Sequence, residues 1–396
     1  MNRQEYGNPL GNQVKSLPQL VDEQVKRCFD EKKIQELISV AEIFDVRKIY
    51  ITGAGDSIAA AGAFAEVIQK FAGVFHCEAI EPMEYTRFMT ASDIGIGEPN
   101  SPLVIAISAG GGTARVKEAI LKTNELGAMS LLITNKKESA SSEVAKKVFY
   151  LDVPPMEKDF PGLRSYFAGM IGLLALATRM GRVRNVLAPE KPEEIRQAIC
   201  KYVHSWETEM DRIDEQMFAL AQKWKDLEKY NFIGCGADLS SALFASEKFY
   251  ECNGVIADYT DAEDWCHIDY FLKNPQEIGT VIFADRHAPE FGRVKETIQA
   301  AAAIGRPVLV ITNAEKEEFD DRAEVCEIPD TPTGYEWLAP LMNYAPAAIL
   351  SGYCCTLSGR KFFNEYDPIA GEYNGSGRYF DKKLMTTGSS AIEIHI

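Results

Sequence analysis

The run Ser108-Ala109-Gly110-Gly111-Gly112-Thr113 follows an apolar segment, LVIAI, and precedes a helix-compatible stretch, ARVKEAILKTNEL. Three consecutive glycines let a backbone approach a ligand closely. Ser108 and Thr113 add hydroxyl donors, and the start of the next helix adds unpaired N–H groups and a favourable dipole. Together these can hold a phosphate without any basic side chain. The plainer alternative is a strand-to-helix turn with Thr113 as N-cap. An earlier turn, Gly53-Ala54-Gly55-Asp56-Ser57, invites comparison with the dinucleotide fingerprint G-x-G-x-x-G. Ile58 or Ala59 stands where its third glycine belongs, although Glu78 and Glu81 lie roughly where a ribose-binding acid would be. A nicotinamide or flavin site is therefore not predicted, and neither is any other cofactor. No G-x-x-x-x-G-K-S/T run supports a P-loop.

Further along, SEKFYECNGVIADYTDAEDWCHIDYF carries Lys248, Glu251 and His267 among the acids Asp258, Asp261, Glu263, Asp264 and Asp269. Those acids could bind a cation, but they lack the residue order of a calcium loop and read as a solvated acidic turn. His287 has no partner at metal-ligand spacing, and His76, His204 and His395 are isolated, so no metal site is predicted. Taken singly, Glu251 reads as a carboxylate on an amphipathic helix and His267 as a structural or surface histidine.

The elements that must position these residues are written twice. VRKIYITGAGDSIAAAGAFAEVIQKFAG, LVIAISAGGGTARVKEAI and AMSLLITN have counterparts in KYNFIGCGADLSSALFASEKFYECNG, TVIFADRHAPEFGRVKETI and PVLVITN. Each set gives a strand ending in Gly-x-Gly, a helix, a strand opening a second helix, and a strand ending Ile-Thr-Asn. Such repetition governs the whole fold. Strands alternating with helices predict an α/β protein of two tandem, doubly wound parallel-sheet lobes, with ligands at the carboxyl ends of the strands. The expected parts are a helical lead (1–45), a first lobe (46–187), a helical connector (188–229), a second lobe (230–345) and a C-terminal helix and tail (346–396). The lead holds a probable helix, VDEQVKRCFDEKKIQELISVAEIF, and the connector one long amphipathic stretch. Only the first lobe keeps a phosphate cradle. In the second, TVIFA runs into Asp285-Arg286-His287-Ala288-Pro289, where a carboxylate would repel phosphate.

Composition sets outer limits. A chain of 396 residues exceeds the about 250–300 residues at which single cores stop growing. Its 46% hydrophobic and 25% charged content suit an ordinary soluble protein. A net charge of −16 argues against nucleic acid and against an anionic membrane surface. It leaves a small anionic ligand open. Nine cysteines, odd in number, without CxxC and with Cys354 beside Cys355, read as reduced thiols in a cytoplasmic protein. The N-terminus has no apolar leader, and Phe167–Met180 is too short to span a bilayer and suits a buried helix.

These motifs resemble the sugar isomerase (SIS) domain family with two tandem lobes. The resemblance takes in the isomerase half of glucosamine-6-phosphate synthase, fructosamine-6-phosphate deglycases and amino-sugar-phosphate isomerase/deaminases. It covers roughly residues 46–345. In that family a Ser-x-Ser-Gly-x-Thr loop grips the sugar phosphate. Ser108, Gly111 and Thr113 match it, and Gly110 replaces the second serine, so backbone N–H groups must do more. The family's Gly-x-Gly-x-Ser turn matches at Gly53, Gly55 and Ser57, and a further sugar-side serine matches Ser165. A family helix ending Lys-x-x-Glu, followed sixteen residues later by a histidine in an acidic turn, matches Lys248, Glu251 and His267.

The resemblance implies that Glu251 carries a proton between C1 and C2 through an enediol, which needs a carboxylate of tuned pKa. His267 would open the sugar ring. Lys383 is the nearest match to a tail lysine that assists ring opening or catches an amine, with Lys382 beside it. The ending AIEIHI departs from the family. The synthases' glutaminase domain, with its cysteine right after Met1, is not expected here. The implied ligand is a 6-phosphorylated ketosamine or amino sugar, handled by a deglycase or an isomerase/deaminase. The implied assembly is a homodimer with His267 supplied across subunits, or a tetramer of paired dimers. The rival from another class is a non-catalytic phosphosugar sensor, which could dispense with Glu251 and His267.

Overall fold

The computed structural model describes residues 3–95, 102–156, 161–360, 362 and 392–396, and the backbone at 366–367 and 372–373. The chain divides into two compact units. One comprises residues 21–156, 164–197 and 380–396, and the other 1–20, 157–163 and 198–379.

The first unit is built on five parallel strands: β1 (Lys48–Thr52), β2 (His76–Ile80), β3 (Leu103–Ile107), β4 (Met129–Thr134) and β5 (Lys147–Tyr150), in the order β2-β1-β3-β4-β5. The central strand β3 reads LVIAI and is buried along its whole length, as a parallel strand covered on both faces must be. The helix Asp56–Ala72 starts at Gly55 (φ 58°) and stops at Gly73 (φ 63°), a left-handed position that suits glycine. Helix Arg164–Val183 holds the predicted apolar run and is almost entirely buried. Small residues let it approach closely. A Cβ at Gly181 would lie 2.2 Å from the Phe71 carbonyl oxygen, and one at Gly172 would lie 3.0 Å from Leu151 Cδ2.

The second unit repeats the plan with β6 (Lys229–Ile233), β7 (Ile256–Thr260), β8 (Ile278–Ala284), β9 (Val308–Thr312) and β10 (Glu324–Glu327). These are parallel in the order β7-β6-β8-β9-β10. Its first helix, Ala237–Asn253, again has 17 residues and again runs from a left-handed glycine to another, Gly236 (φ 55°) to Gly254 (φ 63°). The two-lobed α/β reading is thus realised down to strand order and helix length.

Two helical expectations change in detail. The predicted lead helix is divided into Leu17–Cys28, Glu31–Leu37 and Val40–Asp45, because Asp30 caps Lys33 N–H and Ser39 forms a capping box with Glu42. The connector's long stretch is two helices, Lys191–Ser205 and Met210–Trp224, with buried Trp206 in the turn between them. The lead's first residues pack within the second unit. Asn8 donates to the Ile349 carbonyl at 2.9 Å. Arg3 and Lys15 both reach the buried Asp214 carboxylate, at 2.6 and 2.9 Å.

Candidate functional site

In an open parallel sheet of this order, β1 and β3 are neighbours whose following helices leave on opposite faces, which opens a crevice beyond their carboxyl ends. Both glycine turns of the first unit lie there. A Cβ at Gly53 would stand 2.5 Å from Ser57 Cβ and 3.0 Å from the Ile107 carbonyl oxygen, so the first turn sits against the end of β3. That places Gly53, Gly55 and Ser57 beside the Ser108–Thr113 loop.

Ser108 is buried. Its carbonyl and hydroxyl oxygens both accept from Gly111 N–H, at 3.2 and 3.1 Å. Gly111 has φ 62°, and a Cβ there would fall 2.1 Å from Ser139 Oγ. A Cβ at Gly110, by contrast, would meet nothing within 4 Å. Thr113 does occupy the N-cap of helix Ala114–Glu125, but its hydroxyl makes no capping bond. Ser165 lies one helical turn before Gly169 on the same face. Gly169 packs toward β3, its would-be Cβ 4.0 Å from Ile107 Cγ2. Ser57, Ser108, Gly110, Gly111, Thr113 and Ser165 therefore belong to one end of one sheet. Hydroxyls and backbone N–H groups there suit an anion of phosphate size.

The second unit holds the acid–base candidates. Glu251 lies near the end of helix Ala237–Asn253, one turn after Lys248. Lys248 is wholly buried. Its Nζ donates to Glu251 Oε2 at 2.5 Å and to the Gly162 carbonyl at 3.1 Å, and it lies 5.0 Å from the Phe244 ring centroid. A buried ammonium held by a carbonyl and an aromatic face is a fixed cation, and it favours the charged form of Glu251.

His267 ends the short helix Ala262–His267. Trp265, on the opposite side, is buried, and its indole N–H donates to Asn231 Oδ1 at 2.8 Å beneath the Arg306 guanidinium. That anchor turns His267 outward, 65% exposed, where Nε2 meets Glu263 Oε1 at 2.8 Å. Glu263 is held below the ordinary carboxylate range by His267 and then by Arg293, whose Nε donates to it at 2.6 Å. His267 makes no hydrogen bond to Glu251. The two candidates sit on separate elements with separate partners. Lys383, like Lys382, lies outside the described residues.

Two supporting residues went without a role in the sequence reading: Lys248, which holds Glu251, and Glu263, which holds His267. The usable signal was helical spacing, i to i+3 for the first pair and i to i+4 for the second. Two other acids of that turn do structural work. Asp261 caps the helix through Glu263 and Asp264 N–H, and Asp269 accepts from Asn231.

Comparison with known proteins identifies a domain in the first unit. The sequence model of the SIS domain matches residues 42–179, the stretch that carries both glycine turns and Ser165. This chain contains a SIS domain. It is 23% identical over 278 residues to a glutamine–fructose-6-phosphate aminotransferase (isomerizing) of Thermus thermophilus, covering 69% of this chain and 45% of that protein. The chain spans about half the length of the curated relatives it matches. The C-terminal domain of glucosamine-fructose-6-phosphate aminotransferase from Francisella tularensis superposes with a TM-score of 0.74 at 16% identity, over 92% of this chain and 100% of that one. Tagatose-6-phosphate ketose/aldose isomerase from Escherichia coli does so with a TM-score of 0.64 at 14% identity, over 88% and 95%. The SIS match falls on the first unit, and the superpositions carry the same fold across the second. Among the described residues, no helix is long and apolar enough to cross a membrane.

Proposed function

We propose that this SIS protein is an enzyme that transfers a proton between C1 and C2 of a 6-phosphorylated ketosamine or amino sugar, as a deglycase or an isomerase/deaminase. The observation that carries the reading is the buried Lys248 ammonium bound to a partly exposed Glu251 carboxylate. A general base must be ionised before it can take a carbon-bound proton, and a fixed cation beside it secures that state. The Ser108–Thr113 loop, with Ser57 and Ser165, would hold the phosphate and sugar.

In the reaction, Glu251 removes the proton from one carbon and the carbonyl oxygen of its neighbour is protonated, giving the enediol or enaminol. Return of the proton to the other carbon, as the heteroatom on the first carbon gives up its own proton or lone pair, yields the aldose or a C1 imine, and water hydrolyses that imine to the aldehyde and free amine in the deglycase case. His267 would act on the ring oxygen before that step, with Glu263 steadying its imidazole. Lys383 would serve ring opening or amine capture. Relatives named for glucosamine-6-phosphate deaminase and tagatose-6-phosphate isomerase chemistry support the substrate class. A homodimer is part of the proposal: Ile268 and Phe271, next to His267, are 68% and 69% exposed and suit a subunit contact.

The test is proton NMR in D₂O with pooled hexose, hexosamine and fructosamine 6-phosphates. Deuterium should enter C1 or C2 of one compound and fail to do so with Glu251→Gln. Binding of a compound without exchange or consumption would instead favour a phosphosugar sensor.

A further inference from the structure

The second unit has its own crevice at the β6/β8 switch point, where the first unit has its phosphate loop. The turn after β6 repeats the first glycine turn, with Gly234 and Gly236 in place of Gly53 and Gly55. At the position of Ser57 stands Asp238. In register, Phe283 faces Ile311 as Ile107 faces Ile133, so Ala284 takes the place of Ser108 and Asp285 follows it. One hydroxyl that would face an anion is thus replaced by a carboxylate, the other is lost to alanine, and a second carboxylate is added beside it.

The crevice is a narrow pocket whose enclosed part has room for about one water-sized body. Asp238, Asp285, Asn313 and Thr331 supply its polar lining, and Ile311 and Ile328 part of its apolar wall. Asp238 Oδ1 accepts from Asn343 Nδ2 at 2.7 Å, and Asp285 Oδ1 accepts from Asn313 Nδ2 at 2.9 Å. Among the described residues, no lysine or arginine pairs with either carboxylate. The neighbouring bridges, His287 to Asp330 and Arg286 to Glu318, belong to neither. Thr331 is only 8% exposed and lines the pocket, and its hydroxyl is buried without a hydrogen-bond partner. A buried hydroxyl left unpaired marks a missing ligand atom or water. Water would satisfy the hydroxyl but leave the carboxylate charge uncompensated in an apolar wall.

We propose that this pocket binds a water-sized monovalent cation: potassium, ammonium, or the ammonium head of a primary amine. The oxygens of Asp238, Asp285 and Thr331 would receive it. The charge environment agrees. Burial, then the proximity of Asp285 and Glu290, raises Asp238 to about 7, against the lowering contacts from Asn343 and the Asp285 N–H. Tyr202 lines the same space and is itself pushed upward, by burial first, with Asp285, Asp238 and Asp330 adding to it. A helix N-terminus favours a carboxylate only modestly, too little to offset such burial. A bound cation would displace the proton.

Thermal unfolding of the whole chain at pH 8 tests this. Ionic strength is held constant with tetramethylammonium chloride, which is too large for the pocket, while potassium, ammonium or methylammonium chloride replaces it. A saturable rise in Tm with at least one of them is expected. Asp285→Asn and the near-isosteric Thr331→Val should each move the half-saturating concentration upward at least tenfold. Methylammonium acting at lower concentration than ammonium would identify an amine head, and the reverse order a free ion. A Tm that follows ionic strength alone, or responds equally in both variants, overturns the proposal and leaves a pocket for water.

Discussion

Lys248 holds Glu251 from a position with no exposed side-chain surface, while the carboxylate it holds is 36% exposed. The cation is fixed and the base is accessible. Lys248→Met keeps much of the buried aliphatic volume against Phe244 and removes the charge with its hydrogen bonds to Glu251 and Gly162. We expect C1–C2 exchange to fall by about 10²-fold or more. The acidic limb of the pH–rate profile should move upward, because an adjacent cation lowers a carboxylate's pKa. An unchanged profile with reduced stability would mean that Lys248 is structural only.

The Ser108–Thr113 loop makes opposite predictions at adjacent glycines. Gly110 faces open space and has an ordinary φ, so Gly110→Ser adds a hydroxyl without a clash. Phosphosugar binding measured by calorimetry should tighten by about 3–10-fold, the worth of one hydrogen bond, with the unfolding midpoint unchanged. Gly111→Ala must accept φ 62° and a Cβ 2.1 Å from Ser139 Oγ. It should lose about 1–3 kcal/mol of stability as well as binding. Equal effects at the two positions would refute the loop geometry.

These contrasts show where sequence was informative. The paired Gly-x-Gly strands and the Ile-Thr-Asn endings were sufficient for the two parallel sheets, because turns and buried strands are local features. Ser108 and Gly111 were legible for the same reason. The partners of Arg3 and Asn8 were not, since Asp214 and Ile349 lie far along the chain and nothing in a polar lead marks its docking site. The helix break at Ser39 was missed because a strong apolar period masked the capping box with Glu42. Asp238 drew no reading from the sequence. Its meaning depends on burial, which spacing does not report.

The proposed dimer makes a complementation test available. If His267 acts across subunits, Glu251→Gln and His267→Asn are each inactive alone, yet mixing them rebuilds one intact site in each mixed dimer. Random exchange should restore about a quarter of wild-type exchange. Phe271→Glu, which puts a charge into the exposed patch, should shift sedimentation toward monomer and abolish that recovery. A monomeric wild-type protein, or no recovery after verified subunit exchange, would sink the shared-site reading.

Asp238 gives stability a distinctive pH dependence. Its carboxyl is raised in the folded state from an ordinary 3.8 to about 7 by burial and by Asp285 and Glu290. The folded chain therefore binds this proton more tightly than the unfolded chain. The associated stability is fully present below about pH 4 and is lost as pH rises through about 7. At 1.36 kcal/mol per pKa unit the full change is of order 4 kcal/mol. Asp238→Asn imitates the neutral form at every pH. In tetramethylammonium buffer its advantage over wild type should be about 2–3 kcal/mol larger at pH 8 than at pH 5, by denaturant midpoint. A difference between the two proteins that is the same at both pH values would contradict the assignment. Potassium or ammonium at pH 8 should then close the gap from the wild-type side, because only the charged carboxylate gains from a cation.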